Sequence, residues 1–376
     1  MRSTRILSRG SFARLVAVLA AVALLAAACG DDADDDASAS SSASASASAS
    51  ASEPASGSGS GSSSASEPAE ESDEDAATDD GAAAGTVAVA DVLGETEVTI
   101  TDSGVYALDE FAGIALLTLG VEPVAVENFF FDATLGAVVE AEGIALNEAG
   151  SLETVAAAQP ELILGIGHPN HIEVREQHLA IAQTVTPDFT TSWVDQTAVF
   201  AAATGTDARG EAVAAAVQAR IDELAAEIEG AGRSGEQVSI IQTFGAEYYA
   251  YGPTTLVGQI VEEVGLTRSE LQSGAGDFGF ILLSEEQLGQ ETSSEVVIGI
   301  SGVDSDFVSI FDSPVVEADE ADTGIVIDTW TGNHALAAWI ILDDLQSILF
   351  GDGSTTTLES VPEAWSELES AIDAQG

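Results

Sequence analysis

The side chains best suited to chemistry are few in this sequence. It has four histidines, and two stand together in His168-Pro169-Asn170-His171. A His pair can hold a metal ion, and either ring could serve as a base or an axial ligand. His178 and His334 are scattered, and the single cysteine, Cys29, lies near the start of the chain. No His/Cys cluster has zinc-site spacing. Asp and Glu are everywhere by composition, so a carboxylate beside a His says little, and a direct Zn or Mn site is disfavoured. The patterns G-x-S-x-G, H-E-x-x-H, a Walker loop and a dinucleotide fingerprint are absent from any context that would make them work. Gly57, Gly59 and Gly61 belong to a low-complexity stretch, not to a phosphate loop. The residues therefore speak for binding and against catalysis.

Aromatic side chains say more. They make up 6% of the chain, yet many follow runs that read as strands. Tyr106, Asp109 and Glu110 mark the end of an early strand. Phe129, Phe130 and Phe131 follow 124–126, and His168 follows 162–166. Trp193 precedes the longest helical pattern. Phe244, Tyr248, Tyr249 and Tyr251 follow 238–241, and Trp330 follows 325–327, with His334 on the next turn. In open α/β sheets ligands lie outside the carboxyl ends of the strands. An aromatic wall there offers rigid contact to a bulky organic ligand. Each group also has a plain structural reading. At least one of the three phenylalanines suits a core plug, the tyrosines suit a strand edge, and Trp330 suits the core under the last long helix.

The elements that would position these residues alternate. Strand signals at 98–100, 105–108, 124–126, 162–166, 238–241, 296–300 and 325–327 are interleaved with helical patterns such as 111–119 and 256–264. That alternation predicts an α/β fold with mainly parallel sheets. One helix stands out at 207–229. There Val213, Val217, Ile221, Leu224 and Ile228 share a face, and Gly230, Gly232 and Gly235 end it. Its expected length is roughly 30 to 35 Å. The flanks share a pattern: Ser151-Leu152-Glu153 and Ser284-Glu285-Glu286 each open a short helix that precedes a strand, with Ser as N-cap. Two similar lobes joined by one long helix follow.

Charge and the N-terminal region set the surroundings. The chain has 376 residues with 64 acidic and 9 basic side chains, a net charge of −55. Such a balance excludes nucleic acid as a partner and a basic patch for anionic lipid. Arg2, Arg5, Arg9 and Arg14 precede an apolar run at 15–28, too short to span a bilayer and built like a secretory signal. The segment Leu25-Ala26-Ala27-Ala28-Cys29-Gly30 resembles a bacterial lipobox, which makes Cys29 the lipidation site. Residues 29–87, rich in Ser, Ala, Asp, Glu and Gly, read as a disordered tether. The remainder divides into an N-terminal lobe at 88–206, the inter-lobe helix at 207–231 and a C-terminal lobe at 232–376. Beyond the signal only Arg175, Arg209, Arg220, Arg233 and Arg268 are basic. An acidic surface without lysine suggests a saline habitat.

At this point the module resembles the class III substrate-binding proteins of ABC importers, which carry iron–siderophore complexes, haem or cobalamin. The most specific piece is Ser151-Leu152-Glu153-Thr154-Val155-Ala156-Ala157-Ala158-Gln159-Pro160-Glu161-Leu162-Ile163, similar to the family's N-L-E-x-I-x-A-L-K-P-D-L-I. The segments at 115–124, 260–266 and 283–288 resemble further family segments in the right order. The resemblance implies a class III periplasmic-binding-protein fold and no catalysis. It implies one Glu per lobe, Glu153 and Glu286, docking on an ABC permease dimer; Glu285 is the neighbour one place off. It also implies a monomer held outside the cytoplasm, attached to the cell membrane by its lipid alone. The cleft residues that fit are Tyr106, Asp109, Phe129, Phe130, His168, Trp193, Phe244, Tyr248, Tyr249, Tyr251 and Trp330. No resident cofactor is expected, the cargo being a ferric siderophore. With so few Arg and no Lys in the module, a neutral or cationic hydroxamate type fits better than a trianionic tris-catecholate. A haem or cobalamin receptor of the same fold, or a surface sensor without transport, are the alternatives.

Overall fold

Two short apolar runs, Val105–Ala107 (β3) and Leu162–Leu164 (β6), pair in parallel at the middle of the first sheet with every side chain buried. Continuous burial of this kind belongs to a sheet covered on both faces. In the computed structural model, residues 85–376 are described, apart from 246, 275–278, 302–308, 317 and 319–321. The expected signal at 1–28, Cys29 and most of the tether lie outside the described residues. Thr86 and Val87, assigned to the tether by composition, instead begin strand β1.

The first lobe opens with an antiparallel hairpin of β1 (Thr86–Asp91) and β2 (Gly94–Thr99). Its five-stranded sheet is all parallel, in the order β5-β4-β3-β6-β7, with β4 Ala125–Asn128, β5 Leu146–Glu148 and β7 Gln183–Val185. Helices α1 (Glu110–Thr118), α2 (Ala133–Ala141), α3 (Leu152–Ala158), α4 (Pro169–Leu179) and α5 (Trp193–Thr204) connect or follow the strands. Arg175 on α4 ties the hairpin down. Its buried guanidinium donates to Asp91 at 2.8 Å and to the Thr184 carbonyl at 3.2 Å.

Helix α6 (Asp207–Ala231) carries the chain across. Its buried residues include Val213, Val217, Ile221, Leu224 and Ile228, the face read from the sequence. Twenty-five residues make it about 37 Å long. The helix stops in a left-handed turn at Gly232, φ +75°, where the Gly232 N–H donates to the Glu229 carbonyl and the Arg233 N–H to that of Ile228. This is the paired closure that glycine permits without steric cost.

The second sheet repeats the order of the first. It runs β10-β9-β8-β11-β12, with β8 Val238–Phe244, β9 Glu247–Tyr251, β10 Phe280–Leu283, β11 Val296–Ser301 and β12 Asp322–Ile327. One strand departs from the expectation of parallel pairing: β9 is antiparallel to both neighbours. It folds straight back from β8 as a hairpin, with Phe244 opposite Glu247 and Gly245 at φ +62°. Helices α7 (Leu256–Glu263), α8 (Glu270–Ser273), α9 (Glu285–Glu291), α10 (Ala335–Phe350) and α11 (Val361–Asp373) complete this half. The last helix reaches back to the first lobe, where the Trp365 indole donates to Glu142 at 2.9 Å, and its Asp373 pairs with Arg209 at the start of α6. All described residues lie within one compact unit.

Candidate functional site: the cleft between the lobes

A cavity of about 330 Å³ lies between the lobes. From the first lobe Phe111, Phe130 and the run 189–192 line it; from the second come Tyr251, Thr254, Thr255, Leu256, Gln259, Phe280 and the turn 331–333. Among the described residues every lining side chain is aromatic, aliphatic or uncharged polar. The lobes already touch at its edge, because the Asn333 amide donates to the Thr191 carbonyl at 3.0 Å.

The first-lobe wall is built on a buried acid. Asp109 caps α1, accepting from the Ala112 N–H at 2.7 Å, and binds the Ile166 N–H at 2.9 Å. Glu110, the first residue of α1, is fully buried. One of its carboxylate oxygens accepts from the backbone N–H groups of both Phe129 and Phe130 at 2.9 Å. That clamp sets Phe130 face to face with Phe111, ring centres 4.4 Å apart and planes 15° from parallel. Phe129 lies edge-on to Phe130 and against the rings of His168 and His171. Phe131 follows in a left-handed conformation, φ 60°, and is two-thirds exposed. Burial pushes the Glu110 carboxyl up to about 7, and it raises Asp109 as well.

The histidines are structural in their bonding. His171 is buried and its Nδ1–H donates to the Ile166 carbonyl at 2.8 Å. His168 caps α4 by accepting from the Asn170 N–H, while its ring meets Phe189 edge-on. His334 caps α10 through Nδ1, which accepts from the Ala337 N–H at 3.0 Å. Burial pulls the His334 ring down to about 3, so it stays neutral and the cap stays formed. Among the described residues no three His, Cys, Asp or Glu side chains converge as a metal site would require.

Several residues expected in the cleft stand elsewhere. Tyr106 is wholly buried, its hydroxyl bonded to Glu127 and Asn147, because β3 is the covered centre of its sheet. Asp109 is buried beneath the cleft as a helix cap. Trp330 is core, its indole donating to Asp344 at 2.8 Å. Phe129 backs Phe130 without joining the lining itself. Trp193 borders a neighbouring chamber. The reversal of β9 explains Phe244, Tyr248 and Tyr249. Phe244 closes the hairpin, Tyr248 packs on a small core with Leu283 and Leu288, and the Tyr249 hydroxyl turns to Glu247 at 2.6 Å. Only Tyr251 of that group reaches the cleft, its hydroxyl held by Gln242 at 2.6 Å and its ring near Phe280. Among the residues that sequence reading missed, Phe111, Thr255 and Phe280 stand at the starts of helices or a strand, while 189–192 form the connection that leads into α5. The one available signal was the Thr190-Thr191-Ser192 run ahead of α5, which joins polar lining to a helix cap.

Glu153 and Glu286 are exposed and hold the same place, second in the first turns of α3 and α9. Ser151 and Ser284 cap those helices. In the second the cap is reciprocal, Ser284 N–H donating to the Gln287 side chain at 2.9 Å. Each helix precedes the fourth strand of its lobe's sheet.

Two matched sheets about one long helix, with an uncharged aromatic cleft between, define a two-lobed ligand-binding protein. Residues 133–304 match the profile of the periplasmic binding protein family, a family of binding proteins. No curated protein matches the chain significantly. Among solved structures, the FhuD protein from S. pseudintermedius is similar at 17% identity and a TM-score of 0.61, with 72% of this chain and 100% of that one covered. Staphylococcus aureus SirA complexed with staphyloferrin B is similar at 19% identity and 0.57, covering 70% and 98%. The periplasmic catecholate-siderophore binding protein VctP from Vibrio cholerae is similar at 18% and 0.56, covering 72% and 100%. At such identities the likeness is one of fold. Among the described residues no helix is long and apolar enough to cross a membrane.

Proposed function

We propose that this protein is the extracytoplasmic solute-binding component of an ABC importer and that it captures a ferric siderophore between its lobes. The observation that carries the reading is the chemistry of the cleft. Aromatic faces and uncharged hydrogen-bonding groups suit a bulky organic chelate. Among the described residues the cleft has no cation to meet an anion, and each of the module's five Arg is bound to an acid outside it: Asp91, Asp373, Asp343, Glu236 with Asp322, and Glu262. An uncompensated anion in a dry site costs several kcal/mol. The cargo is therefore a neutral or cationic complex of hydroxamate type. The likeness to proteins named for siderophores supports the class but not one chemistry, since one relative named above is complexed with staphyloferrin B and another is a catecholate-siderophore binding protein.

Delivery uses Glu153 and Glu286 as one acidic contact per lobe for a permease dimer, each favoured at its helix N-terminus and suited to bidentate pairing with Arg. Cys29 holds the protein at the membrane through lipid, and residues 29–87 give it reach. The test is a tryptophan-fluorescence titration with ferric hydroxamate, catecholate and citrate complexes, haem and cobalamin, paired with uptake assays of Glu153→Ala and Glu286→Ala. Tight hydroxamate binding that survives in both variants while uptake is lost is the expected result. Binding of the catecholate complex in preference to the hydroxamate would overturn the ligand class. Unimpaired uptake in both variants would overturn the docking role.

A further inference from the structure

A second chamber of about 450 Å³ adjoins the cleft. The two share Ser192 from the first lobe and Leu256 and Gln259 from the second. From there the chamber follows α7 by one turn, from Gln259 to Ile260 and Glu263, about 6 Å. Its other wall is the long helix α6, which contributes Ala214, Ala215, Val217, Gln218 and Ile221. Trp193 is nearly buried beside it, and Val194 is exposed. On a chain with net charge −55, this lining is apolar apart from Ser192, two amides and one carboxylate. That carboxylate is Glu263. Burial, and then the nearby charge of Asp222, both push its carboxyl up, so a cation arriving there would relieve an existing repulsion. Small-molecule sites span roughly 300 to 1,000 Å³. The cleft is at the bottom of that range, and only with the chamber does the site have room for a chelate with an extension.

We infer that the chamber takes the aminoalkyl tail of a linear hydroxamate chelate, its methylene groups against α6 and its ammonium beside Glu263. The inference rests on the cleft reading above and narrows it from a chelate class to one with a cationic arm. The head occupies the aromatic cleft, and the tail passes between Ser192 and Gln259, one residue from each lobe.

The experiment is an equilibrium titration of the full chain with three ferric trihydroxamates: ferrioxamine B, its N-acetyl derivative, and a cyclic chelate with no tail. Acetylation removes the charge and keeps the chain. The wild type should prefer ferrioxamine B to the acetylated form by roughly twofold to fivefold, the scale of an exposed ion pair. Glu263→Gln should bring that ratio close to one. Ala215→Trp, which fills the chamber from an exposed position on α6, should lower the affinity ratio of tailed to tailless chelates. Equal affinity for ammonium and acetylated forms in the wild type, or a ratio that Glu263→Gln leaves unchanged, overturns the tail site while the cleft reading stands. Failure of all three chelates to bind overturns the cleft reading and the tail site with it.

Discussion

Glu110 is the residue on which the first-lobe wall turns. A fully buried carboxylate that binds two successive backbone N–H groups fixes the direction of a loop more firmly than packing alone. Its replacement by Ala should free 129–131, unstack Phe130 from Phe111 and weaken chelate binding about tenfold, the worth of one lost charge-assisted hydrogen bond. Glu110→Gln, which keeps an acceptor oxygen, should retain most of the affinity in the same titration. The pH dependence has a defined sign. The folded-state value lies near 7, above the ordinary 4.5, so the folded protein holds this proton longer than the unfolded chain. Stability from this group is full below pH 4.5 and is lost as pH rises through 7, by about 3 kcal/mol at most. Denaturant midpoints measured across that window should fall in the wild type and flatten in Glu110→Gln. An unchanged slope in the variant would remove Glu110 as the cause.

At the scale of elements, caps and turns decide more than propensity does. The spine ends where Gly232 turns left-handed, and a Cβ there would meet no atom within 4 Å. The cost of Gly232→Ala is therefore conformational alone, about 1 to 2 kcal/mol. Thermal unfolding should register it, whereas Gly230→Ala, within the helix, should be neutral or slightly stabilising. The α3 and α9 caps hold Glu153 and Glu286 at matching positions, and both were readable because a Ser two residues before a Glu has a local geometric meaning. The course of β9 was not readable. Tyr248 and Tyr249 alternate as in any strand, and nothing in a strand's own sequence says which way its neighbour runs.

For the whole molecule the dominant fact is charge. With a net charge of −55, self-repulsion strains the compact state, and the Debye length shrinks from about 10 Å at 0.1 M salt to about 3 Å at 1 M. The unfolding temperature should rise by several degrees when NaCl is raised from low to molar concentration. A flat or falling dependence would show that the acids are already neutralised by their placement. The lobes are held by α6 and again by the return of α11 onto the first lobe.

The sequence by itself determined the layered α/β class, the long helix and its buried face, the Ser-capped acidic turns in both halves and the excess of acid. All of these follow from local periodicity, from caps or from counting, which need no knowledge of distant parts of the chain. Only the tertiary structure decided which aromatics face ligand. Tyr106 and Trp330 look like cleft residues from their strand ends but are covered by neighbouring layers, while Phe111 and Phe280 become cleft walls because helix packing and the β9 reversal bring them to the gap. The pairing of each Arg among the described residues with an acid, which leaves the described lining of the cleft without a cation, draws on distant partners, Asp91 for Arg175, Asp373 for Arg209 and Asp343 for Arg220. No local pattern encodes a contact of that span.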